Sequence, residues 1–142
     1  MPLALILLLL IVPLQSHAEY LGDLSANPYS PNSTANPFGA GNPLSPNSLN
    51  NPIGPYGSPI SPYSSSNPLA TNPPQLFDQA GQYRGNLSAN PLDPNSTSNP
   101  IGRYGSPISP DSLNNPLGAG NPLRPDSSRN PYGSGWQIQG NR

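Results

Sequence analysis

Five aspartates, Asp23, Asp78, Asp93, Asp111 and Asp126, carry nearly all the reactive side-chain chemistry beyond residue 18. Paired carboxylates do acid–base work where their surroundings push their pKa values apart. Carboxylates at a fixed period hold Ca²⁺ in some repeat proteins. Other reactive types are scarce: Cys and Lys are missing, the single histidine is His17, and the single glutamate is Glu19. Asp111 and Asp126 share a repeat position with Asn32, Asn47 and Asn95, which makes them the calcium candidates. Tyr63 holds that position in a sister unit, however, so turn capping accounts for the same residues. No residue is assigned as catalytic, no cofactor is implied, and the chain is expected not to be an enzyme.

The elements that must position these side chains are repeats. Six units of 15 or 16 residues begin at Asn27, Asn42, Ser58, Asn90, Ser106 and Asn121. Tyr20-Leu21-Gly22-Asp23-Leu24-Ser25-Ala26 leads into the first three, and Tyr83-Arg84-Gly85-Asn86-Leu87-Ser88-Ala89 leads into the last three. The two halves therefore repeat each other as a tandem duplication. Unit order differs between them. Gly54-Pro55-Tyr56-Gly57 closes the second unit, whereas its counterpart Gly102-Arg103-Tyr104-Gly105 closes the fourth.

Each unit is a formula for turns. Pro31, Pro46, Pro62, Pro94, Pro110 and Pro125 preset φ for position i+1 of a type I turn, and a Ser follows two residues later. A later segment reads Asn-Pro-apolar-Gly, as in Asn36-Pro37-Phe38-Gly39, again with type I preferences at each position. Proline withholds a backbone donor three times per unit, so neither a long helix nor a continuous β-ladder can thread the array. The fold class expected is a mostly irregular repeat array, rich in Pro, Asn, Ser and Gly turns. A stacked turn-solenoid is the alternative.

Only residues 75–89 and the tail escape this pattern. Leu76-Phe77-Asp78-Gln79-Ala80-Gly81-Gln82-Tyr83 reads as a short β-hairpin with its turn at residues 79–81. Trp136-Gln137-Ile138-Gln139 alternates and offers a third strand. The chain then divides into 1–18, 19–74 with three units, the 75–89 spacer, 90–135 with three more units, and the 136–142 tail.

Residues 1–18 read as a signal peptide. An aliphatic run of about ten residues from Leu3 to Val12 precedes Ser16-His17-Ala18, a small-x-small cleavage signature. The run is shorter than the roughly 20 apolar residues a membrane span needs. Cleavage between Ala18 and Glu19 is expected, with helix confined to the signal and export to the periplasm or outside. With five Arg widely spaced and net charge −1, no nucleic-acid partner is expected.

Two apolar positions recur in every unit and form the candidate core: Tyr29, Leu44, Ile60, Leu92, Ile108 and Leu123, then Phe38, Ile53, Leu69, Ile101, Leu117 and Tyr132. Beyond residue 18, Leu, Ile, Val and Phe fall below the roughly 20% at which globular cores become doubtful. The expectation is a locally turned, weakly packed chain. Tyrosines interleaved with prolines are either its weak core or a multivalent adhesive surface.

The set Leu-Ser-Ala-Asn-Pro, Pro-Asn/Asp-Ser, Asn-Asn-Pro and Gly-Arg-Tyr-Gly-Ser-Pro resembles a group of small, secreted, uncharacterised bacterial repeat proteins. Those carry NPYG and SPYSPDS units after a signal peptide; this chain has Leu or Ile where they more often have Tyr. The resemblance implies export from a bacterial cell. Together these readings predict a secreted or envelope-associated structural spacer or multivalent interaction module. Its partner would be a protein or a cell-envelope or matrix component. A Ca²⁺-dependent turn-repeat module is the alternative.

Overall fold

A computed structural model describes residues 19–142. The signal-peptide reading of residues 1–18, Ala18 included, lies outside the described residues. Among those described there is no helix, and four short strands form one open antiparallel sheet. The strands are β1 (Glu19–Leu24), β2 (Gln75–Phe77), β3 (Tyr83–Asn86) and β4 (Trp136–Gly140).

The hairpin read from the sequence is β2–β3. Asp78 caps its turn, accepting the Gly81 amide at its carbonyl at 2.9 Å, and Gly81 takes a positive φ of 84°. The alternating tail is β4, which pairs with β2 as Leu76↔Ile138 and Phe77↔Gln137. The structure goes further than the sequence reading, because the first leader is also a strand: β1 pairs with β4 as Glu19↔Gly140 and Leu24↔Trp136.

Strand order is β1-β4-β2-β3. Each half thus contributes an opening strand and a closing strand, and the opening strand of the first half pairs with the closing strand of the second. Exchanging the halves leaves the order unchanged, a pseudo-two-fold arrangement. Local contacts repeat across it: the Tyr20 hydroxyl donates to Asp23 Oδ1 at 2.8 Å, and the Tyr83 hydroxyl to Asn86 Oδ1 at 2.6 Å. The outer strands are not left as bare edges. Asp23 and Asn86 each make a parallel bridge to the first buried serine of the following unit, Ser33 and Ser96.

Between strands the chain runs as consecutive turns sharing corner residues, the i+3 amide donating to the i carbonyl. In the second unit these are Ser45 to Asn42, Ser48 to Ser45, Asn51 to Ser48 and Gly54 to Asn51, all 3.2 Å. Among the described residues only four glycines have positive φ, which excludes types II, I′ and II′ and leaves type I, as the proline positions predicted. The two 16-residue units absorb their extra residue at one place, where Ser58 and Ser106 reach back four residues to Gly54 and Gly102 at 3.0 Å.

Which corners face inward explains the composition. The serine two after each turn proline is buried in all six units: Ser33, Ser48, Ser64, Ser96, Ser112 and Ser127. Each accepts the amide two residues on at its Oγ, at 2.9–3.1 Å. Three residues later comes an Asn, whose Nδ2 donates across the turns to the carbonyl six residues back, as in Asn51 to Ser45 at 3.0 Å and Asn115 to Ser109 at 2.9 Å. Serine is too short to make that chord. Buried polar groups are tolerated because they are satisfied in this way.

The apolar core lies on one face of the sheet: Leu21, Tyr56, Leu76, Ala119, Trp136 and Ile138. Tyr56 and Tyr104, one in each of the two longer units, are both buried. Gly85 permits the approach of Tyr104: it has φ of 97°, and a Cβ there would meet the Tyr104 Cβ at 2.6 Å.

Candidate interaction surface

The twelve recurring apolar residues are not the core. Their exposure runs from 85% at Leu69 and Leu92 to 94% at Phe38, which corrects the packing expected of them. The reason is local. Each occupies position i+2 of a turn whose corner is Asn or Ser and whose i+1 residue is Pro. The corner side chain accepts the amide of the apolar residue itself, for example Asn36 Oδ1 from Phe38 at 3.0 Å and Ser58 Oγ from Ile60 at 3.2 Å. The same bond recurs at all twelve, spanning 2.9–3.2 Å. With the corner turned inward by its hydrogen bonds, the tip of the turn points to solvent. In the third unit, Ile60 and Leu69 stand beside an open groove that Pro59, Pro62 and Asn67 complete.

Side chains of following units reach carbonyls of preceding ones. Asn50 Nδ2 donates to Thr34 O and Gly41 O at 3.1 and 3.0 Å, and Asn114 Nδ2 to Thr97 O and Gly105 O at 3.0 and 3.1 Å. Arg129 Nε donates to Leu113 O at 2.9 Å. The apolar tips are therefore carried on a hydrogen-bonded scaffold rather than on free loops.

Every aspartate has a structural partner. Asp23 takes the Tyr20 hydroxyl, and burial raises its carboxyl above the ordinary range despite that bond. Asp93 accepts the Asn95 amide at 2.9 Å and Asn86 Nδ2 at 3.2 Å. Asp78 is buried, accepts the Ala80 and Gln82 amides at 3.0 and 2.9 Å, and pairs with Arg84 at 3.0 Å. Burial pushes its carboxyl up, but the amides and the guanidinium outweigh that and hold it below the usual carboxylate range.

The two calcium candidates are each paired with arginine. Asp111 is gripped by Arg84 at 3.1 Å and Arg103 at 2.8 Å, and Asp126 faces Arg124 at 3.6 Å. Among the described residues no group of three or more His, Cys, Asp or Glu could hold a metal ion. Glu19 begins β1 and accepts the buried Tyr56 hydroxyl. No described helix is long and apolar enough to cross a membrane.

No family model matches the chain, and no curated protein or solved structure does either.

What the sequence reading missed was the outward direction of the tips. The available signal was position: each apolar residue directly follows the i+1 proline of a turn whose corner is a small polar residue.

Proposed function

We propose that the six units form a stacked turn-solenoid in two halves, and that the chain is an exported, non-enzymatic repeat protein acting as a multivalent interaction module. The observation that carries this reading is the set of twelve apolar tips, each at least 85% exposed and each held by its own side-chain-to-amide bond. A contact surface of many equivalent, weakly binding points gains strength by avidity. Proline before each tip lowers the conformational entropy that binding must overcome.

The stacked arrangement is supported by the bonds from Asn50, Asn114 and Arg129 to the preceding unit. Export is supported by the signal-like run at residues 3–12. A bacterial envelope or matrix component is the partner class that the resemblance and the export signal favour together.

The test uses residues 19–142 immobilised against solubilised envelope fractions. Variants carry Ser at both tips of one, two, three and up to six units. Retained material is expected to fall stepwise with the number of altered units. Retention that ignores the tips, or that vanishes on altering any single unit, overturns the reading. Circular dichroism serves as the folding control, since the tips make little contact with the interior.

A further inference from the structure

Residues 27–74 contain no Asp, Glu, Lys, Arg or His, yet they carry six exposed apolar tips: Tyr29, Phe38, Leu44, Ile53, Ile60 and Leu69. The second half is built alike but is charged, with Asp93, Arg103, Asp111, Arg124, Asp126 and Arg129 among its units. The duplication preserved the turns, the buried Ser and Asn corners and the apolar tips. It left the three units of the first half, residues 27–74, without a charged side chain.

We infer that the uncharged half docks against the same half of a second copy of this chain, giving a closed two-fold dimer. This rests on the interaction-module reading and names the partner of half of its surface. Three features select a second copy. The first is charge: two copies of this face meet without like-charge repulsion and bury no unpaired ion, whereas a charged partner finds no counter-charge on it.

The second is area. Each exposed side chain of this size offers about 60–120 Å² of apolar area. Six tips then supply roughly 400–700 Å², and the exposed proline before each brings the face near the ~800 Å² per partner of a standard interface.

The third feature is period. Consecutive tips recur at 15 and 16 residues on both rows, Tyr29, Leu44, Ile60 and Phe38, Ile53, Leu69. A partner that meets every tip must carry the same spacing, and this chain does. The groove beside Ile60 and Leu69, lined with Pro59 and Pro62, offers a seat for a row from the facing copy. An isologous contact of this kind closes on itself instead of propagating.

Sedimentation equilibrium on residues 19–142 tests this. A monomer–dimer equilibrium is expected. Leu44→Asp or Ile53→Asp should weaken the dimer roughly thirtyfold or more, with the circular dichroism spectrum unchanged. Leu117→Asp in the charged half should leave dimerisation within about twofold of the parent. A chain that stays monomeric, polymers that keep growing with concentration, or equal weakening by Leu117→Asp each overturn the proposal. Flotation of monomer with phosphatidylcholine vesicles, lost in Ile53→Asp, assigns the face to lipid and also overturns it. A monomer whose retention on envelope fractions still falls unit by unit refutes the dimer and leaves the module reading standing. Retention that ignores the tips refutes that reading whatever the oligomeric state.

Discussion

Tyr56 and Ala119 occupy equivalent steps of the two halves and lie in one core cluster, one large and one small. Tyr104 and Ala40 form the reciprocal pair, with Gly85 accommodating the Tyr and Gly22 the Ala. The units change order between the halves, yet the equivalent positions stay complementary in size. Each pseudo-equivalent pair of positions holds one Tyr and one Ala.

Exchanging the volumes tests this. Tyr56→Ala should destabilise by about 3–5 kcal/mol, as large-to-small aromatic changes do. Ala119→Tyr should cost about 1–3 kcal/mol by overpacking. The double exchange is expected to recover part of the sum, seen as positive coupling in denaturant melts. Strict additivity would separate the two sites.

The Asn chord gives a second prediction. Asn115→Ser keeps a short acceptor for the amide two residues on, but loses the Nδ2 bond to Ser109 O. That carbonyl keeps the Ser112 amide at 3.2 Å, so losing one of its two bonds should cost about 0.5–1.5 kcal/mol, read as a lower melting temperature. Leu117→Ser, two residues away on the exposed tip, should be within about 0.5 kcal/mol of the parent.

Stability should fall in alkali. Burial first, then Tyr104 and Asp93 nearby, push the Tyr83 hydroxyl up to about 12. Burial and the carboxylates of Asp23 and Glu19 likewise raise Tyr20 and Tyr56. An unfolded tyrosine ionises near pH 10, so the folded state holds the extra proton between about pH 10 and 12. The stabilisation is fully present below that window and declines as pH rises through it. Melting temperature against pH should show the decline, and Tyr83→Phe should make it shallower.

The Arg84 hub gives a fourth. Arg84 bridges Asp78 and Asp111 and lies over the Trp136 ring at 5.6 Å. Arg84→Ala leaves Asp78 buried without its cation and should cost about 3–5 kcal/mol. Because Asp78 is held below its usual range, its contribution is present near neutrality and is lost as pH falls through the folded pKa. With arginines already engaging Asp111 and Asp126, millimolar Ca²⁺ should leave the melting temperature of the parent unchanged. A rise of several degrees would revive a calcium site.

Local hydrogen bonding was legible before any coordinates. Proline at i+1 and Asn or Ser at the corner specify a type I turn within four residues, so Ser48 to Ser45 and Gly54 to Asn51 follow from neighbours alone. The proline-free spacer marked the β2–β3 hairpin for the same reason, since its partners are close along the chain. Only tertiary structure decided that β1 pairs with β4, because Glu19 and Gly140 stand at opposite ends of the described chain and pair by a register no short-range pattern encodes. It also decided which side of the turns faces in. A triplet of corner, proline and apolar residue is amphipathic either way round. The Asn51 chord and the serine bonds satisfy the polar corners inside, and the sheet, with Tyr56 and Trp136, already supplies an apolar interior. The apolar tips were therefore left outside.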